Sequence, residues 1–338
     1  MKHVKESILI AGVGRMGRGI AVAFAYQGHP VVLVDIKERS PEEFKQLKSE
    51  TEAEINSHLK ILEISDVIPA GMVKEISQII SICRLDDSFP IWKEASIIFE
   101  AVPEIAEVKK NVFSQICTFA SKDALIASTT SSFLVNDLAE FVTHKERFLN
   151  THWLNPAYLM PLVEVSPGNE TSNENLEQMF QLLKGIGKVP VKCAPSPGFI
   201  VPRIQALAMN EAARLVEEGV ASVEDIDKAS RIGFGLRFAV LGLLEFIDWG
   251  GADTLFHASH YLKKSLTDDR FLPPEIVEEK MHSGNIGLKT KKGFYHFDET
   301  NIDDYQKETM KKFIDLLKHM RLIQSPEELI IKSEKVSR

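Results

Sequence analysis

The chain has 338 residues, too many for one ordinary core, so two domains are expected. Hydrophobic residues make up 44% and charged residues 26%, the balance of a soluble globular protein. A net charge of −8 argues against the broad basic face that nucleic-acid binding needs, although a local basic pocket for a phosphorylated ligand stays open.

The opening "MKHVKES" leads straight into "ILIAGVG". That apolar run is too short to span a membrane and too soon broken by glycines to be a signal peptide, so no membrane association is expected. Ile8–Ala11 reads as a buried strand, "GRMGRGIAVAFAYQG" as a helix that ends at Gly28, and Val31–Asp35 as a second buried strand. Together they form a strand–glycine turn–helix–strand unit. Residues 37–80 are charged and helical, long for a crossover, and read as an inserted helical arm. Four more strands follow, in "ASIIFEAVP" (95–103), "ALIASTTSS" (124–132), "RFLNTHWLN" and "LVEVSP", with "KVPVKCA" as a further candidate.

The pattern changes after "PSPGF" (195–199). Ile204, Leu207, Ala208, Ala212, Leu215 and Val216 recur at helical spacing, and Ser222 with Asp225 resembles a capping box that opens the next helix. Past Asn301, Phe313, Leu316, Leu317 and Met320 share one helical face, which reads first as core and second as a dimer contact. The domains are therefore drawn at 1–193 and 194–338. The three cysteines, Cys83, Cys117 and Cys193, are odd in number and widely spaced, so neither a metal site nor a disulfide framework is expected and a reducing cytoplasm is.

Three constellations carry chemistry. In "GVGRMG", Gly12, Gly14 and Gly17 follow a strand and open a helix, and Asp35 ends the next strand. This context offers a pyrophosphate the free N–H groups and positive dipole of a helix N-terminus, with Asp35 as acceptor for ribose hydroxyls. A carboxylate there repels a 2′-phosphate, so NAD is expected over NADP, with Arg39 the one feature that tempers this. The second is His152 with Glu164, both placed oddly in apolar strands. A carboxylate bonded to one imidazole nitrogen orients the other as a general base, yet a structural histidine is about as good a reading from the residues alone. The third, "STTSS" (128–132), is either a turn or a donor to a substrate oxygen.

Jointly and in order, "GVGRMG", "EAVPE", "TTSS", "HWLNP", "LVEV", "PGFIVPR" and "KTKKGFY" resemble the motifs of the 3-hydroxyacyl-CoA dehydrogenase family over most of the chain. The resemblance implies an α/β Rossmann-like N-terminal domain with an inserted helical arm, followed by an all-α C-terminal domain for substrate and dimerisation, commonly paired as a homodimer. It implies NAD-dependent oxidation of an L-3-hydroxyacyl-CoA, with His152 as base and Glu164 as its partner. Ser131 and Asn155 would line the substrate and nicotinamide pocket. Met16 of the glycine turn, Glu104, Lys109 and Lys289 would join the cofactor contacts. Two departures bear on the substrate. Pro202, flanked by Val201 and Arg203, stands where the family usually has an asparagine near the thioester, and its fixed φ suits the first turn of a helix. "GFGLRFAVLG" (233–242) is similar to the gulonate and carnitine dehydrogenases and lambda-crystallin, in which case Arg237 faces a substrate carboxylate or is a surface arginine. The arm's Lys45, Lys48 and Lys60, among many glutamates, make no obvious phosphate site for CoA. A free 3-hydroxy acid is the second substrate class, and an NAD-binding structural protein without turnover the reading from another class.

Overall fold

Short apolar strands with no polar alternation need cover on both faces, and only a parallel sheet between two helical layers supplies it. The computed structural model describes residues 5–323 and has that architecture. Its sheet contains β1 (Ile8–Ala11), β2 (Val31–Asp35), β3 (Ile80–Arg84), β4 (Ile97–Glu100), β5 (Leu125–Ser128), β6 (Phe148–Trp153), β7 (Leu162–Pro167) and β8 (Val189–Lys192). They lie in the order β3-β2-β1-β4-β5-β6-β7-β8. Every neighbouring pair is parallel except β6 and β7, which run antiparallel with His152 opposite Glu164.

The helices of this part are α1 (Arg15–Ala25), α2 (Pro41–Ile64), α3 (Val73–Gln78), α4 (Leu85–Glu94), α5 (Ala106–Phe119), α6 (Val135–Ala139), α7 (Asn173–Gly185) and α8 (Val201–Glu217). Alternate strand residues feed two apolar layers. Ile8, Ile10, Leu33 and Phe99 pack with Ile20 and Phe24 of α1, Ile55 and Leu59 of α2, and Met179 and Leu183 of α7. Leu9, Ala11, Val34 and Ile98 pack with Trp92 of α4, Phe113 and Ile116 of α5, and Leu138 of α6. The arm starts where Ser40 and Glu43 cap one another reciprocally and Pro41 takes the first helical position. It contains α2 and α3 as expected, and β3 follows from its last residue at the sheet edge, a strand the sequence reading did not include. Ile80 and Ile82 alternate there with Ser81 and Cys83, and the strand is only partly covered, so its signal is weak beside the long charged helix.

The chain divides into two compact units, Met1–Met209 and Asn210–Arg338, the division falling inside α8. The second unit is helical, with α9 (Val223–Ala229), a π-helical turn (Ser230–Gly235), α10 (Leu236–Val240), α11 (Leu243–Gly250), α12 (Ala252–Leu266), α13 (Glu275–Ser283) and α14 (Ile302–His319). The Ser222 hydroxyl caps α9 by accepting from the Asp225 amide at 3.1 Å, as its spacing predicts. On α14, Phe313, Leu316 and Leu317 are half-buried and Met320 is exposed. Among the described residues no helix is long and apolar enough to cross a membrane.

One buried carboxylate organises the end of this unit. Asp248, 1% exposed, accepts from the amides of Phe294 at 2.9 Å and Tyr295 at 2.7 Å, and so pins "KKGFY" against α11. Removing it takes a charged acceptor from two backbone amides, and a hydrogen bond to a charged group is worth about 1.5–3 kcal/mol. Asp248→Ala should therefore destabilise the protein by at least about 2 kcal/mol, read as a lower midpoint in chemical unfolding.

Candidate active site

The site assembles at the carboxyl ends of the parallel strands, where such sheets bind ligands. The glycine turn between β1 and α1 is built by contact. Gly12 has φ +126°, and a Cβ on it would lie 2.4 Å from the Ala101 carbonyl oxygen. A Cβ on Gly17 would lie 2.2 Å from the Gly12 carbonyl oxygen. Gly14 differs: it is the N-cap of α1, and its Cβ would meet no atom within 4 Å. Two glycines thus close the turn, and the third leaves the helix N-terminus bare-faced. Met16 lies on the first turn of α1, partly buried against the core.

In front of the turn lies a cavity of about 530 Å³, lined by Gly12, Gly14, Asp35, Arg39, Val102 and Ile105 among others. Asp35, 5% exposed at the end of β2, accepts from Arg39 Nε at 2.7 Å. The carboxylate, the free helix N-terminus and the apolar wall after β4 fit a dinucleotide's ribose, pyrophosphate and adenine in that order.

A buried charge network lies at the ends of β4 and β5. Glu100 is fully buried, and its carboxylate accepts from Lys109 Nζ at 2.9 and 3.0 Å, the Val102 amide at 2.9 Å and the Ser128 hydroxyl at 2.5 Å. Lys109 Nζ also lies 3.2 Å from Glu104, which accepts from the Ser131 amide at 2.5 Å, the Ser131 hydroxyl at 3.1 Å and the Thr130 hydroxyl at 2.9 Å. Burial pushes the Glu104 carboxyl up, but the Ser131 amide, the Lys109 ammonium and the Thr130 hydroxyl outweigh it and hold it below the usual carboxylate range. Glu104, Lys109 and Ser131, three residues expected separately, are therefore one hydrogen-bonded unit. Glu100 was missed, and Ser128 and Thr130, read within 128–132 as a turn or as donors to a substrate oxygen, here donate to the carboxylates of Glu100 and Glu104. Glu100 in "IIFEA" carries the same signal as Glu164, a carboxylate inside an apolar strand.

His152 and Glu164 face each other across the antiparallel β6–β7 pair. The imidazole Nδ1 lies 2.6 Å from Glu164 Oε2. The other carboxylate oxygen accepts from the amides of Ile200 and Val201, both at 2.8 Å, at the start of α8. His152 also stacks on Phe199, with centroids 4.9 Å apart and ring planes 19° apart. Phe199 holds a left-handed φ of +46°, rare for a bulky residue and costing on the order of 1–3 kcal/mol. With Nδ1 engaged, Nε2 is the nitrogen left for chemistry. Asn155, three residues on, is exposed.

The remaining expected residues come later in the chain. Lys289 belongs to the second unit, where its ammonium is 3.8 Å from Asp253. Arg237 is exposed in the same unit, with its guanidinium 5.7 Å from the centre of the Phe246 ring. Pro202 takes the second position of α8, where no amide hydrogen is needed. Among the described residues no group of three or more His, Cys, Asp or Glu could hold a metal.

The glycine turn separates folding from binding. Gly17→Ala should lower stability by about 1–3 kcal/mol through overpacking. Gly14→Ala should melt like the parent yet bind NAD more weakly, because its methyl enters the space before the helix N-terminus. Thermal unfolding and NADH fluorescence titration on both variants check this.

Comparison with known proteins identifies the family. Residues 7–196 match the model of the 3-hydroxyacyl-CoA dehydrogenase NAD binding domain, and residues 198–297 match that of the 3-hydroxyacyl-CoA dehydrogenase C-terminal domain. The mitochondrial hydroxyacyl-coenzyme A dehydrogenase of Sus scrofa is 33% identical over 297 residues, covering 88% of this chain and 92% of the relative. The 3-hydroxybutyryl-CoA dehydrogenase of Bradyrhizobium diazoefficiens is 32% identical, with 88% and 97% covered. A crystal structure of the 3-hydroxyacyl-CoA dehydrogenase from Archaeoglobus fulgidus superposes with a TM-score of 0.74 at 30% identity, over 94% of this chain and all of that one. Fold, glycine turn and matched domains together make this chain a member of the 3-hydroxyacyl-CoA dehydrogenase family.

Proposed function

We propose that the protein oxidises an L-3-hydroxyacyl-CoA, of the 3-hydroxybutyryl-CoA type, to the 3-ketoacyl-CoA, with NAD as cofactor. The observation that carries the reading is the His152–Glu164 pair, buried and joined at 2.6 Å with Nε2 left unengaged. When bound, NAD supplies the acceptor for the electron pair leaving the substrate carbon. His152 Nε2 takes the proton of the 3-hydroxyl. Glu164 stays ionised, fixes the tautomer and stabilises the imidazolium as it forms. Ser131 and Asn155 hold the substrate oxygen, and the Glu104–Lys109 pair keeps Ser131 in place beside the nicotinamide. Gly12, Gly14, Met16, Gly17 and Asp35 hold the rest of the cofactor, with Lys289 a further contact by family resemblance. In reduction the protonated His152 returns its proton. The division of labour is a nucleotide domain over 1–193 and a helical domain over 194–338.

Pro202 favours one second reading, a free 3-hydroxy acid as substrate. Its place in α8 leaves no side-chain donor for a thioester where the family has asparagine. A free acid then needs a cation for its carboxylate, and Arg237 is the candidate. The retained dyad speaks against a purely structural NAD-binding protein.

The protein acts as a cytoplasmic homodimer. Support for the pairing alone comes from α8, a 17-residue helix with no buried residue, on which Leu207 and Met209 are 71% and 70% exposed. Large exposed apolar surface of this kind marks an interface.

Four outcomes check the proposal. His152→Ala should lower kcat by roughly 10²–10⁴-fold with NAD affinity little changed. Glu164→Gln should lose comparable activity, because its amide must turn an NH2 either on Nδ1–H or on two backbone amides. A panel of acyl-CoAs beside free acids, assayed on the parent and on Arg237→Met, separates the substrate classes: a KM rise of about ten- to a hundredfold confined to free acids supports the second reading. NAD should be preferred over NADP, and Asp35→Ala should narrow the gap; equal use by the parent would refute the role given to Asp35.

A further inference from the structure

Lys188 is a buried charge outside the dyad. It stands just before β8 and is 5% exposed, and among the described residues no carboxylate pairs with it. Its ammonium instead donates to two backbone carbonyls, Ala157 at 2.7 Å and Met160 at 2.8 Å, and lies 5.8 Å from the centre of the Trp153 ring. A buried charge is costly unless paired, so two convergent carbonyl dipoles must stand in for a counter-ion. Burial pushes the Lys188 ammonium down to about 8.

Its two acceptors lie in the connector between β6 and β7, residues 154–161. That connector starts two residues after His152, ends three before Glu164, and contains Asn155. The same segment packs Ala157 on α1 at Gly19 and stacks Tyr158 on His58 of α2 at 4.5 Å. The apolar contacts fix its buried side, but its own carbonyls need a donor, and prolines at 156 and 161 remove two of its amides.

We propose that Lys188 is a positioning residue for the reaction, clamping the β6–β7 connector through the Ala157 and Met160 carbonyls so that Asn155 is held beside His152. The inference rests on the dyad reading above and extends it to a residue that touches neither substrate nor cofactor.

The test is a double-mutant cycle between Lys188→Met and Asn155→Ala, followed by NADH absorbance during reduction of acetoacetyl-CoA. Lys188→Met should lower kcat by at least about tenfold while KM for NADH stays within about threefold, the signature of lost positioning rather than lost binding. Asn155→Ala should then cost little more in the Lys188→Met background than that variant alone, because the clamp's effect passes through Asn155. Unchanged kcat, or an Asn155→Ala loss of the same factor in both backgrounds, overturns the inference. If Lys188→Met fails to bind NADH, the cycle is run with Lys188→Gln, whose amide on a shorter stem weakens the clamp; a kcat loss that shrinks the Asn155→Ala effect supports the inference, and an Asn155→Ala loss of the same factor in both backgrounds overturns it. His152→Ala in the same assay separates the failures. If it still turns over, the dyad reading falls. If it is inactive while Lys188→Met is unimpaired, the Lys188 inference alone falls.

Discussion

The carboxylate of Glu164 is the constraint around which the site is arranged. It is fully buried, and a buried carboxylate is tolerated only when its lone pairs are used. One oxygen takes the imidazole of His152, and the other takes two backbone amides at the start of α8. The helix dipole and the imidazole therefore compensate the same charge from opposite sides. This explains why the "PGF" turn is drawn tight enough to force Phe199 to positive φ: the first amides of α8 must arrive at Glu164. It also brings the Phe199 ring onto the face of His152, which leaves the imidazole little freedom to rotate.

A second buried network repeats the logic on the neighbouring strands. Glu100 uses both oxygens on Lys109, Ser128 and a backbone amide, and Lys109 reaches on to Glu104. The two networks share no residue. Each fixes a different set of strand ends, β4 and β5 in one case and β6 and β7 in the other. Satisfied polar networks of this kind are rigid, because every member moved leaves another unpaired.

How much of this was legible in the sequence depended on the range of the interaction. The glycine turn, the strand of Asp35, the capping of α9 and the apolar strands were readable because their causes are local. So was the oddity of His152 and Glu164, since a carboxylate inside an apolar strand announces a partner. What the residues alone left open was whether the two met, which needed the antiparallel turn of β7 against an otherwise parallel sheet. Strand β3, just past the charged arm, went unread because an edge strand is half-covered and its pattern is weak. Lys188 was invisible for a different reason. Its partners are main-chain carbonyls some thirty residues away, and a carbonyl carries no sequence signal. Glu100 was overlooked although it showed the same mark as Glu164.

The antiparallel β6–β7 pair has a consequence for how such a site can diverge. Cross-strand partners are set by a register whose smallest step reverses the face of every side chain. The separation of His152 and Glu164 is thus quantised: it cannot be adjusted gradually, only kept or lost. The loop joining the strands is bound by no register, but the Lys188 ammonium and the packing of Ala157 and Tyr158 tie its buried side. Change on this scaffold should then collect in the exposed positions around the pair, while the facing of His152 and Glu164 across the two strands is inherited unchanged.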